Sequence, residues 1–358
     1  MPTPSVSVVM SVFDGERFLA EAVESILAQS LSDFEFIIIN DGSTDGTASI
    51  LDGYQQLDRR VRIQHQENRG LVESLNRGCA LARGKYIARM DADDVAVKDR
   101  LQRQLFILEK QPELAVLGGA IQTIDSTGEP LIVETFPKTD REIKVALARG
   151  DCPFSHPTVV MRKECFVSVH GYRKIAMHAE DYDLWSRISD RFRLANVEAV
   201  VLRYRRHPNQ VSIRKCRQQA LSALAARIAA EHRRNGIPDP LDSVAEITPA
   251  TLTTLGASAR CQQSAIARAY VTCIRSMCDA GELNEAIGAI ELGRTLNWNL
   301  TDKAVATDFR LLSAELDWRQ KRFAQSMLTV ASALIRRPIT IGRPLKPLLR
   351  RLQSVGVY

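Results

Sequence analysis

Residues 84–95 read GKYIARMDADDV, and the fold turns on how this stretch is read. Tyr86 to Met90 suits a buried strand, and Asp91, Asp93 and Asp94 follow it at once. Carboxylates packed this closely repel one another and resist burial, so something must offset the cost. Two readings compete. In one, the acids form a solvated turn, and Asp94 or Asp99 serves the start of a helix over KDRLQRQLFILEK. In the other, extended backbone turns Asp91 and Asp93 to the same side just past a parallel strand. A hard divalent cation there would take oxygen ligands, bridge to a diphosphate and relieve the repulsion.

Working outward, the segments before this stretch alternate between strand and helix patterns. VSVVMSV, FEFIIIN and RVRIQHQ are strand-like, the first two continuous enough to be covered on both faces. Between them lie RFLAEAVESILAQS, with Phe18, Val23, Ile26 and Leu27 on one stripe, and TASILDGYQQL. LVESLNRGCALARG is helical, with Gly84 expected to end it, and KYIARM is the fourth strand. This alternation predicts an α/β fold: a Rossmann-like, mostly parallel sheet with right-handed crossovers. Ligands in open sheets sit beyond the carboxyl ends of the strands. Phe13, Asp14, Asn40, Asp41, Asn68, Asp91 and Asp93 all fall at that edge.

Downstream, LAVLGGAIQTID, PLIVETF and HPTVVMR predict shorter β pieces around a helix, REIKVALAR. EDYDLWSRISD is helical, and FRLANVEAVVLRYRRH reads as a hairpin or strand pair. Beyond Gln218 the pattern is helical, broken by NGIPDP. The expected organisation is a catalytic domain over 1–217, a helical domain of repeat-like hairpins over 218–335, and a basic tail over 336–358.

Composition narrows the class. At 358 residues the chain has room for a full α/β domain and a smaller one, and 45% apolar with 25% charged content is ordinary for a globular protein. MPTPSVSVVMSVFDGERF has no basic leader and meets Asp14 early, so it reads as a strand and not as a signal peptide. No apolar run approaches the roughly 18 residues of a membrane span. Seven cysteines without a CxxC pair predict reduced, mostly buried thiols in the cytoplasm. The net charge of +6 is concentrated in two acid-free stretches, 203–217 and 336–358, which attract phosphates of any kind.

Two more stretches carry candidate chemistry. INDGSTDGT supplies a turn and side-chain oxygens for the following helix, and it also leaves Asp41 at the ligand edge to accept from a base N–H. In AEDYDLWSRI, Glu180, Asp181 and Asp183 fall in a first helical turn, where the dipole favours acids with no ligand needed. With DADD these make three acidic sites in order along the chain. Together with ENRGLVESLNRGCALARGKYIARMDADD, FSHPTVVMRKECFVSVHGY and EDYDLWSRI, they make residues 5–215 resemble the inverting family 2 glycosyltransferases of GT-A fold, the nucleotide-diphospho-sugar transferase architecture.

The resemblance implies a nucleotide-sugar donor, UDP-linked by preference, lying across the first four strands. It implies that Phe13 packs on the base, Asp41 accepts from it and Asn68 lies on the donor side. Asp91 and Asp93 would engage ribose, diphosphate and Mg2+ or Mn2+, and Asp181 would be the general base. His156 and Glu180 fall on the acceptor side. His207 either touches the metal or diphosphate, with Arg203, Arg205 or Arg206 adding charge, or belongs to a strand edge guarded by charge. Asn40 departs from the usual acid at its position, without touching Asp41. The implied acceptor is a saccharide or lipid-linked glycan in envelope polysaccharide assembly, with the basic tail on the inner membrane face.

Two other classes compete. The first strand ends in VFDGER with no GxGxxG, which argues against a Rossmann dehydrogenase. A non-catalytic glycosyltransferase-like scaffold would use the helical domain and basic tail, but all the matched acids are present. No aromatic RNA-binding motif supports a nucleic-acid partner.

Overall fold

In the computed structural model, the described residues are 3–207, 215–279 and 281–336. The basic tail expected over 336–358 falls, from residue 337 onward, outside them. The chain divides into two compact units, Met1–His207 with Ser222–Ile247, and Pro208–Leu221 with Thr248–Tyr358.

The first unit is built on one nine-stranded sheet. Its first four strands are β1 (Val6–Val12), β2 (Phe34–Asp41), β3 (Val61–Gln66) and β4 (Tyr86–Met90). They pair in parallel in the order β3-β2-β1-β4. Helices α1 (Glu16–Leu27), α2 (Thr47–Leu57) and α3 (Leu71–Leu81) make the crossovers. Strand residues alternate between two cores because successive side chains point to opposite faces. Val8, Met10, Phe36 and Ile38 pack with Leu19, Val23 and Ile26 of α1. Val9, Ile37 and Ile39 pack on the other face with Val72, Leu75 and Cys79 of α3.

α3 ends at Leu81, three residues before the glycine expected to end it. Gly84 has a different duty. A Cβ there would lie 2.7 Å from the Ser7 backbone nitrogen, so the chain enters β4 against β1 only with glycine.

The sheet continues through β5 (Val95–Ala96), α4 (Arg100–Lys110), β6 (Leu114–Ile124), β7 (Pro130–Glu134) and α5 (Asp140–Arg149). It closes with β8 (Val160–Arg162), α6 (Lys163–Ser168), α7 (Glu180–Ser189) and β9 (Arg193–Arg205). β8 runs antiparallel to β4 and β6, and β9 runs parallel to β6, which makes the sheet mixed but mostly parallel on the donor side expected from sequence.

The stretch read as a hairpin is the single 13-residue strand β9. It pairs along the whole of β6, with register shifts near Gly119 and Ala120 that let the two long strands stay together. Asn196, the one turn-forming residue in the stretch, is buried and donates to the carbonyls of Pro137 and Pro153.

The second unit is helical. α8 (Cys216–Arg234) contributes its residues before Ser222, followed by α9 (Pro249–Thr254), α10 (Ala259–Asp279), α11 (Leu283–Arg294), α12 (Lys303–Arg319) and α13 (Phe323–Arg336). Its core joins Ile274 and Met277 of α10, Ile290 of α11 and Phe309 and Leu312 of α12, and Trp298 stacks on Phe309 at 4.2 Å. Among the described residues, no helix is long and apolar enough to cross a membrane.

Candidate active site

The carboxyl ends of β1–β4 form one edge, and three loops meet there. Phe13, directly after β1, is 51% exposed, an unusual state for a large apolar side chain held on a rigid strand end. Asp14 beside it takes a left-handed φ of 48°. Its Oδ1 accepts from the Thr44 N–H at 2.7 Å, and its own N–H donates to Ser43 Oγ, so the β1 and β2 loops are tied together.

Asp41 ends β2 and is buried. Its Oδ1 accepts from Gln66 Nε2 at 2.7 Å and the Arg69 N–H at 2.9 Å, and its Oδ2 accepts from the Gly70 N–H at 2.8 Å. The carboxylate therefore fixes the loop after β3. Gly42, at φ +79°, lets Asn68 close over this point, since a Cβ would sit 2.6 Å from the Asn68 nitrogen. Asn40 Oδ1 accepts from the Ser43 N–H, and its amide meets His65 Nδ1 at 3.0 Å, so the Asn40 side chain stabilises the turn.

Beyond β4, Asp91, Asp93 and Asp94 each offer a carboxylate oxygen within 4.8 Å of the others. Their surroundings are strongly cationic. Asp91 pairs with Arg89 at 2.5 Å, and burial with the nearby Asp93 charge raises its carboxyl above the ordinary range against that pull. Asp94 is fully buried. Its Oδ1 accepts from the Arg205 N–H at 2.8 Å, while its Oδ2 is buried with no hydrogen-bond partner among the described residues. Burial, then the Asp93 and Asp91 charges, push the Asp94 carboxyl well up. Asp94 therefore does not serve the start of α4. Asp99 stands at that position, without a side-chain bond to the helix backbone.

His207 Nε2 lies 2.9 Å from Asp93 Oδ2, and the His207 ring packs 5.2 Å from Phe18. The structure thus brings His207 to the acidic group from the end of β9. Arg205 is buried, paired with Glu21 and donating to the carbonyl of Asp93 at 2.9 Å. Arg206 pairs with Glu134 at 2.5 Å, and Arg203 donates to the Gly128 carbonyl at 2.8 Å. Buried Arg205 is thus no solvated edge charge.

The second acidic group opens α7. Asp183 is buried between Arg173 and Arg187, with Arg187 Nε donating to its Oδ2 at 2.9 Å. Glu180 and Asp181 have no such clamp. Burial, then the Asp181 charge, push Glu180 up to about 7, and burial raises Asp181. Asp181 Oδ1 accepts from the Tyr182 N–H at 2.7 Å, and the Cys152 thiol lies 3.7 Å from its Oδ2. His156 Nε2 meets the Tyr172 hydroxyl at 2.7 Å, and burial, reinforced by the Arg89 charge, holds its ring well below the usual range and neutral.

Sequence reading passed over Arg89. It is buried on β4, bonds Asp91, and its charge also acts on Glu180, Asp181 and His156. The two acidic groups therefore share one buried cation. The signal was present: an arginine in the middle of an otherwise apolar strand needs a buried partner. Arg100, likewise buried, donates to the Arg89 carbonyl at 2.7 Å, and burial lowers its guanidinium to about 9. No disulfide joins any of the seven cysteines, and Cys79, Cys165, Cys216 and Cys278 are buried.

Comparison with known proteins fits this geometry. Residues 7–167 match the family model described as Glycosyl transferase family 2. The chain is 37% identical over 209 residues to EpsE of Bacillus subtilis (strain 168), named as a glycosyltransferase, covering 56% of this chain and 73% of that one. It is 35% identical over 206 residues to the O-antigen biosynthesis glycosyltransferase WbnJ of Escherichia coli, covering 56% of this chain and 80% of that one. Among solved structures, the mannosyltransferase PcManGT from Pyrobaculum calidifontis, in complex with GDP-Man and Mn2+, superposes with a TM-score of 0.50 at 16% identity. That match covers 95% of this chain and 87% of that one, and it shows a shared fold.

Proposed function

The chain belongs to glycosyl transferase family 2, as a glycosyltransferase using a nucleotide-sugar donor, and from that premise we propose an inverting, metal-assisted transfer to a saccharide or lipid-linked glycan hydroxyl. The observation that carries this reading is the group of three carboxylates beyond β4, with Asp94 Oδ2 buried and without a hydrogen-bond partner among the described residues. An all-oxygen donor set with an orphaned buried oxygen suits a hard divalent cation. Mg2+ or Mn2+ held by Asp91, Asp93 and Asp94 would neutralise a diphosphate leaving group and act as a Lewis acid.

The residues around this group divide the remaining work. Phe13 offers an exposed ring for the base to stack on. Asp41 spends three acceptor positions on Gln66 and the loop after β3 and keeps one on Oδ2 for a base N–H. Asn68 covers the donor side from the same loop. His207 holds the Asp93 carboxylate in place or joins it as a ligand. UDP-linked donors remain the favoured class.

Asp181 takes the proton of the acceptor hydroxyl as that oxygen attacks the anomeric carbon opposite the diphosphate. One displacement inverts the configuration. Burial, then the Asp181 charge, raise Glu180 to about 7, and burial raises Asp181, so Asp181 takes up a proton more readily than an ordinary aspartate. His156, neutral against Tyr172, lies on the same acceptor side. The acid-free sequence from Arg336 fits an anionic membrane face, where a lipid-linked acceptor resides.

The test is a panel of nucleotide sugars with Mn2+ or Mg2+, read by thermal shift and by release of the nucleoside diphosphate. Stabilisation by one donor should require the metal, and Asp93→Asn should abolish transfer while remaining folded. Full activity of the wild type and of Asp93→Asn under saturating chelator would sink the proposal.

A further inference from the structure

A cavity of about 810 Å3 opens between the segment after β7, helix α5 and the strand-free stretch that follows it. One end reaches Cys152, whose thiol lies 3.7 Å from Asp181 Oδ2, so that end stands one side chain away from the carboxylate read above as the base. Phe136, Pro137 and Val145 give it apolar walls, and Val145 is 43% exposed. Arg141 and Arg149 line it from opposite ends of α5. At about 1.5 Å rise per residue they stand roughly 12 Å apart along the helix.

Neither arginine has an ion pair or hydrogen bond among the described residues. Arg141 is misplaced for helix stability, because a cation in the first turn opposes the helix dipole. The acids of that turn are already committed. Glu142 accepts from the Lys138 and Thr139 N–H groups in a capping box, and Asp140 pairs with Lys144 at 2.9 Å. Arg227 comes close to the far end, with its Nη1 3.8 Å from where a Cβ on Gly150 would stand. Arg141 and Arg149 thus line a groove with one end near Asp181, and α5 does not use their charges.

We infer that Arg141 and Arg149 are specificity determinants for an acceptor bearing an anionic group along this groove, either a lipid-linked phosphate or the carboxylate of an acidic sugar. The apolar walls suit the faces of sugar rings or an alkyl chain, and guanidinium groups recognise phosphate and carboxylate in paired hydrogen bonds. The inference rests on the placement of the acceptor hydroxyl at Asp181.

The test uses the full chain and three matched probes, octyl diphosphate, octyl glucuronide and octyl glucoside, with binding measured by calorimetry. At least one anionic probe should bind about tenfold or more tightly than the glucoside, the gain expected of a charge-assisted contact. Preference for the diphosphate identifies a lipid phosphate, and preference for the glucuronide an acidic sugar. Arg141→Ala with Arg149→Ala should erase the difference, and the corresponding lysine pair should restore part of it. Hydrogen exchange over residues 135–152 should slow with the favoured probe in the wild type only. Equal binding of all three probes, no binding of either anion, or anion binding unchanged in the double alanine variant would overturn the inference. Donor binding with Mn2+ is measured alongside. Its loss in the wild type would count against the proposed transfer reaction and leave the cavity result standing on its own.

Discussion

Asp91–Asp94 and Glu180–Asp183 are equally dense in acid, and the protein compensates them differently. In the second stretch, Asp183 is closed off completely by Arg173 and Arg187. In the first, Arg89, Arg205 and His207 surround the carboxylates, yet among the described residues a buried oxygen of Asp94 has no hydrogen-bond partner. The lesson concerns where charge is satisfied by the fold and where it is left for something else. Asp183 belongs to the architecture. Arg89 pairs with Asp91 and its charge also acts on Glu180 and Asp181, yet Asp91, Asp94, Glu180 and Asp181 all keep raised carboxyls.

The sharpest way to break this contrast is through Asp183. Asp183→Asn leaves the buried Arg187 guanidinium facing a neutral partner while Arg173 keeps Asp239, and removing one member of a buried ion pair costs about 3–5 kcal/mol. Chemical denaturation should show that loss, with Asp93→Asn close to wild type in stability. Similar losses for both would mean that the two stretches play the same structural part.

The next effect is kinetic. Asp181→Asn should lower turnover by about a hundredfold or more, the usual range for a lost general base, with donor affinity retained. Titration of the variant with nucleoside diphosphate checks this. A parallel collapse of affinity would move Asp181 from the acceptor to the donor side.

The smallest effect is the pH dependence of stability. Glu180 is raised from its ordinary value to about 7 in the folded protein. The folded state therefore binds more protons than the unfolded one between the ordinary carboxyl range and neutrality. The stability linked to this group is complete at low pH and lost as pH rises through that window, by at most about 1.4 kcal/mol per pH unit. Glu180→Gln should flatten this slope in unfolding measured from pH 4 to 8.

Much of the fold was legible because β1, β2 and β4 are apolar runs separated by amphipathic helices, a local signal independent of distant residues. Asp91 and Asp93 were legible for the same reason, through their spacing after a strand. Asp94 was not, because its role is set by the backbone N–H of Arg205, 111 positions away. β9, read as a hairpin or strand pair, is one strand because it pairs along the length of β6, and Asn196 within it donates to two carbonyls elsewhere in the fold. The cavity beside α5 left no local trace, since Arg141 and Arg149 look like ordinary surface charges until Cys152 is seen beside Asp181.

The sequence by itself determined the alternation of strands and helices, the ligand edge at the strand ends, and the acids standing on it. These follow from side-chain period and chain direction, which are properties of neighbours. The tertiary structure alone decided which charges are neutralised and which are left over. That outcome depends on burial and on partners brought from remote segments: Arg89 under both acidic groups, Arg205 and His207 from the end of β9, and Arg173 closing Asp183. Charge in a low-dielectric interior is governed by the groups within a few ångströms, and only folding sets which groups those are.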